Sequence, residues 1–211
     1  MFITSTGIFT LTLVTALIYL GVLHRVLDRM KLTKGAALII LLLMLAGFFI
    51  PSFALGRHVS ITVGGALIPL GICIYLLVTA DTFQEKGRAV ATALLVAVIV
   101  YLSDKLLSIR PGAGFIIDPL LFPALAAGVT AYLFGRSRRS AFIGAVLGVI
   151  LLDVISAAEI LIKGYPPSRI IIGGGGIFGA VVIAGMLAVL LAEVVGEIRE
   201  RLQGGPSNEK A

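Results

Sequence analysis

Two aspartates stand inside apolar runs. Asp153 follows Val149-Ile150-Leu151-Leu152, and Asp104 follows Tyr101-Leu102-Ser103. A carboxylate carried to the middle of a bilayer costs roughly 2.5–3.5 kcal/mol on insertion scales, so each needs a reason to be there. Asp153 has no basic residue within a helical turn, and Ser156 lies one turn on, on the same face. That pair suits a proton or cation site; the plainer reading is a protonated Asp hydrogen-bonded to a neighbouring helix. Asp104 lies in the outer third of its run, at a depth similar to Asp153 if the two helices run the same way. Facing carboxylates that share a proton can act as acid and base, whereas an Asp near the interface is simply hydrated. Glu159, six residues past Asp153, falls on a different face, and Glu193 reads as a solvated end of the last run.

Glycine segments form the second cluster. Gly64-Gly65 and the run Gly173 to Gly176 are each expected to open a helix on the same, external side, together with Arg57, Arg110 and Arg169. A helix start offers unpaired N–H groups and a partial positive charge, and glycine lets an anion come close. Glycine pairs also let helices cross closely in lipid with no ligand at all, so both readings stand. The four glycines are not a dinucleotide fingerprint, because no strand–helix unit on a parallel sheet is expected around them. Pro69 is expected to kink the helix that follows Gly65.

The elements that hold these residues follow from composition. Of 211 residues, 59% are hydrophobic and 13% charged, against about 25% charged in soluble domains. Seven apolar runs are bracketed by charge, Gly and Pro, over about 4–23, 36–55, 61–79, 89–108, 118–135, 141–162 and 174–195. Each is near the roughly 20 residues that cross a bilayer. The expected fold is therefore all-α, a polytopic transmembrane bundle of about seven spans over residues 1–195, with a tail over 196–211. Lys and Arg in alternate loops divide twelve to five, with the richer set at 25–34, 86–88, 136–139 and 199–210. By the positive-inside rule this puts the N-terminus outside and the C-terminus in the cytoplasm of an inner-membrane protein. The net charge of +6 is accounted for by these helix-end residues, so nucleic acid is not an expected partner; the lipid bilayer is. The single cysteine, Cys73, allows no intramolecular disulfide and no thiolate cluster. No metal or cofactor is implied.

A shift of 109 positions brings Arg29 onto Arg138, Gly35 onto Gly144, Ile61 onto Ile170 and Gly64-Gly65 onto Gly173-Gly174. Read as structure, helices one to three and five to seven are related triplets in parallel orientation, with the fourth as linker, a layout used by some small transporters. The alternative is chance identity among apolar residues.

Val63-Gly-Gly-Ala-Leu-Ile-Pro69, Arg110-Pro-Gly-Ala-Gly-Phe115, Gly144 through Asp153, and Ile172-Gly-Gly-Gly-Gly-Ile-Phe178 together resemble the bacterial and archaeal membrane family called domain of unknown function 1614. The resemblance implies a polytopic membrane topology and no established reaction. The family pattern has an aspartate after the last phenylalanine, where this chain has Gly179, which puts any activity tied to that group in doubt. Pro123-Ala124-Leu125 and two aspartates invite comparison with presenilin-like proteases. However, the triplet lies between the aspartates, and Leu151-Leu152 precedes Asp153 in place of Gly-x-Gly. Three readings follow: a small transporter or solute-binding protein with an outward-facing polar pocket among Asp104, Asp153, Ser156, Gly64, Gly65, Gly173 and Gly174, taking a small solute, proton or cation; an intramembrane aspartyl hydrolase using Asp104 and Asp153; and a non-catalytic component of a membrane complex. The first is favoured.

Overall fold

The computed structural model describes residues 34–56, 59–107, 121–163, 170–174 and 179–202. The first expected run, 4–23, lies outside them, as do Arg57, Arg110, Arg169, Gly175, Gly176 and the tail past Leu202. The described chain is mostly helical. Helix α1 (Lys34–Phe48) leads to strands β1 (Phe53–Ala54) and β2 (Val59–Ile61), then a π-helical turn (Val63–Leu67) continued by α2 (Ile68–Val78). Helices α3 (Phe83–Leu107), α4 (Leu121–Gly135) and α5 (Arg138–Lys163) follow, then strand β3 (Ile170–Ile172) and α6 (Ala180–Leu202).

Polar caps, which an apolar count cannot see, move the helix ends outward. The Glu85 backbone N–H donates to Thr82 Oγ1 at 3.2 Å, in a Thr-x-x-Glu sequence suited to a capping box, and α3 starts six residues before its apolar run. Ser137 does the same for α5, its Oγ accepting from the Ser140 N–H at 3.1 Å. Phe83–Leu106 and Arg138–Lys163 are long and apolar enough to cross a membrane; Val63–Val78, Phe122–Gly135 and Ala180–Gly196 are shorter apolar helices.

One expectation is corrected. The fold is not wholly helical: β1 pairs antiparallel with β2, and β2 pairs parallel with β3, Val59 opposite Ile170 and Ile61 opposite Ile172. Such strands are two or three apolar residues long, and an apolar run that short cannot be told from helix by pattern. Pro69 lies within the continuous helical stretch Val63–Val78, where the π turn passes into α2. Just before it the backbone bonds widen, Leu67 N–H to Thr62 O at 3.1 Å and Ile68 N–H to Val63 O, five residues back.

Helix α5 is the central element, packed against α3, α4 and α6, with Ile143, Ala145, Val146 and Val149 buried. Its approach to the neighbours depends on missing side chains. A Cβ on Gly144 would lie 2.5 Å from Thr92 Cγ2, and one on Gly148 would lie 2.4 Å from Val96 Cγ1. These contacts match Thr92 with Gly144 and Val96 with Gly148, so α3 and α5 run the same way. The outward faces stay apolar: Val90, Leu94, Val98, Leu102 and Leu106 line one exposed side of α3, at the spacing of a helix face.

Polar contacts gather at two opposite ends of the bundle. At one, the α2–α3 turn, the α4–α5 turn and the last turns of α6 meet through Arg139–Asp81 (3.3 Å), Ser137–Glu85 (3.1 Å) and Arg138–Glu193 (2.5 Å). At the other lie the three strands and the far ends of α3 and α5.

Candidate functional site at a glycine junction

Asp153 belongs to α5 and is half-buried. Its Oδ2 accepts a hydrogen bond from the Gly173 backbone N–H at 2.9 Å. Gly173 follows β3 in a left-handed conformation, φ 70°, which glycine adopts without the penalty that a Cβ brings. The space is closed as well as the conformation special. A Cβ there would stand 2.6 Å from Ala66 Cβ and from Gly65 C. Thr62 ties the π turn to the same place, its Oγ1 donating to Gly173 O at 2.8 Å and its N–H to Ile172 O at 3.1 Å. From the other side α1 arrives at Gly47, where a Cβ would lie 2.8 Å from Gly64 N. One carboxylate, two glycine turns and a hydroxyl thus converge where strands pass into helices.

The structure brings together Asp153, Gly64, Gly65 and Gly173, all of which the sequence marked. Gly174 is in the same turn, half-buried, its N–H bonded to Ile171 O at 3.0 Å. Ser156 is half-buried three residues beyond Asp153. Asp104 is exposed near the end of α3, and the hydrogen bond of Asp153 goes to a backbone amide. Gly173 and Gly174 form a turn after β3, and the described part of α6 begins at Ala180; Gly175 and Gly176 lie outside the described residues. The expected helix-start anion site at Gly173 is therefore corrected, since its N–H is given to Asp153. Gly64 and Gly65 do open their helix, as π turn. π-Helical turns recur at functional sites because they displace the backbone without ending the helix.

Glu159, nearby on α5, is partnered rather than isolated. It accepts from Tyr101 OH at 3.1 Å and pairs with Lys105 at 2.9 Å and with Lys163. The Lys105 ammonium also lies 5.4 Å from the centroid of the Tyr101 ring, within cation–π range. Among the described residues, no group of three His, Cys, Asp or Glu side chains stands as metal ligands would.

Sequence reasoning missed Thr62, whose hydroxyl becomes significant only once β2 lies beside β3. It also missed the opposite pole. Glu193, read as solvated, is 6% exposed and bonded to Arg138. The charges of Arg138 and Arg139 were visible, but their acidic partners Glu193, Asp81 and Glu85 lie more than fifty positions away.

The family model described as "Protein of unknown function (DUF1614)" matches residues 26–191. The chain belongs to this family. The matched region holds the whole glycine junction and the Arg136–Arg139 turn, and it ends just before Glu193. No curated protein and no solved structure matches the chain.

Proposed function

We propose that this is a multi-pass inner-membrane protein of seven spans, with its N-terminus outside and its C-terminus cytoplasmic. In this reading it acts as a small transporter or solute-binding protein that uses Asp153 to take up a proton or a cation. The membrane reading is supported by the apolar outward faces, since exposed apolar patches of this extent are rare on soluble proteins. The orientation is supported by the two poles. Asp81, Glu85, Arg138, Arg139 and Glu193 sit at one end, together with Arg136 and Arg199, which belong to the basic set counted as cytoplasmic. A parallel repeat is supported by the parallel pairing of β2 with β3, each leading into a glycine turn.

The observation that carries the functional reading is the bond from Gly173 N–H to Asp153 Oδ2. A backbone donor fixes one carboxylate oxygen and leaves Oδ1 for a proton, a cation or a solute. Broken elements whose backbone lines a polar junction are how membrane transporters build midplane sites. The hydrolase reading needs a second carboxylate beside Asp153, and exposed Asp104 does not support it.

The test is proton movement in proteoliposomes with a trapped pH-sensitive dye, under imposed sodium, potassium and small-solute gradients. The wild type is expected to couple a gradient to proton flux, and Asp153→Asn is expected to insert normally and lose that flux. Equal flux from both forms would remove Asp153 from the site.

A further inference from the structure

The pole opposite Asp153 holds a cavity of about 840 Å³. Its walls come from the α2–α3 turn, the α4–α5 turn and the last turns of α6. Four guanidinium groups line it, from Arg136, Arg138, Arg139 and Arg199, against the carboxylates of Asp81 and Glu85. Two of the arginines are committed: Arg138 to Glu193 at 2.5 Å, and Arg139, 6% exposed, to Asp81 at 3.3 Å with Glu85 at 4.0 Å. The acidic groups thus serve to hold the inner arginines in place. Arg136 and Arg199 stay exposed at the cavity.

The backbone at Arg136 is unusual. Its φ of 55° is the positive value found among the described non-glycine residues, a conformation that a side chain adopts only where its surroundings hold it there. The turn before it is closed, because a Cβ on Gly135 would lie 2.6 Å from Ala141 N. The chain is thereby held with Arg136 on the cavity wall, beside the start of the 26-residue helix α5, whose dipole is positive at that end.

We propose that this cavity binds a phosphate-bearing anion through Arg136 and Arg199. Arginine's planar fork fits phosphate oxygens two at a time. A cavity of this volume lies in the range that holds whole small ligands and is too large for a simple halide. Tyr132, Leu133, Ala192 and Val195 supply apolar surface for the part of the ligand beyond its phosphate. An anionic phospholipid headgroup and a soluble phosphate ester share this chemistry. The proposal uses neither Asp153 nor the glycine junction, so it stands or falls apart from the transport reading.

The experiment uses the detergent-purified full chain and two probes. Native mass spectrometry reads retention of phosphatidylglycerol against phosphatidylcholine, and equilibrium dialysis reads binding of labelled pyrophosphate. Each is repeated on the double variant Arg136→Ala, Arg199→Ala, and on Lys105→Ala at the other pole as a charge control. Preferential retention of phosphatidylglycerol that falls about tenfold or more in the double variant, and not in the control, supports a lipid ligand. The same pattern with pyrophosphate supports a soluble one. Binding of neither probe, or equal loss in the double variant and the control, overturns the proposal. Because both arginines are exposed, a double variant that elutes and melts as the wild type does rules out misfolding as the cause of any loss.

Discussion

The two carboxylates deepest in the account are held in different ways, and the difference sets what each substitution should do. Asp153 is fixed by one backbone N–H. Asparagine keeps an acceptor oxygen for Gly173, so Asp153→Asn should alter function and leave the melting temperature near that of the wild type. Glu193 is 6% exposed and bonded to Arg138. Removing one partner of a buried ion pair leaves the other charge uncompensated, at a cost of about 3–5 kcal/mol. Arg138 keeps 17% of its side chain exposed, which places the expected loss for Glu193→Gln at the lower end of that range. The double variant Arg138→Gln, Glu193→Gln should recover part of it; thermal melts of the three variants in one detergent decide the matter. Asp153 was legible in the sequence as a lone charge in an apolar run. Its partner was not, because a backbone amide twenty residues away carries no sequence signature. Glu193 was misread for a related reason: its position near a helix end suggests water, and only the packing of α6 on α5 puts Arg138 there instead.

At the scale of elements, helix contacts here are set by absent side chains. Gly144→Ala would place its Cβ 2.5 Å from Thr92 Cγ2, and overpacking of this kind costs about 1–3 kcal/mol. Thr92→Ser deletes that methyl and retains the hydroxyl that bonds Arg88 O at 2.7 Å. The double variant should therefore be more stable than Gly144→Ala alone; no recovery would mean that α3 and α5 do not meet at this point. Gly173→Ala should do harm twice, through a φ of 70° and through contact with Ala66, and should impair both the fold and the Asp153 site. The helices were legible as apolar runs because burial and lipid both select the same residues. The strands were not, since Val59-Ser60-Ile61 and Ile170-Ile171-Ile172 are too short for alternation to register. The repeat is mixed at this scale. Its two glycine pairs adjoin, but Gly144 packs tightly on Thr92 and its counterpart Gly35 meets nothing within 4 Å.

At the scale of the molecule, an apolar bundle carries a polar cluster at each end. The proposed orientation has a direct consequence for cysteine accessibility. Cys73 is fully buried, so the native chain should resist a membrane-impermeant maleimide without needing a cysteine-free background. Ser52→Cys, at the strand pole, should be labelled in intact spheroplasts, and Gln84→Cys, at the arginine pole, only after permeabilisation. The reverse pattern would invert the topology. The proposed orientation rests on positive charge in alternate loops, a matter of composition that needs no tertiary contact.

The central claim is that Asp153 is a binding carboxylate held in an apolar bundle, and carbodiimide mapping tests it most directly. A hydrophobic carbodiimide reaches protonated carboxyls from the apolar phase, and water-soluble reagents do not. Peptide mass spectrometry of the treated full chain should find the adduct on Asp153, diminishing as pH rises or as a bound cation displaces the proton. An adduct confined to Asp104 and Glu159, with Asp153 unmodified at every pH and salt, would contradict the account.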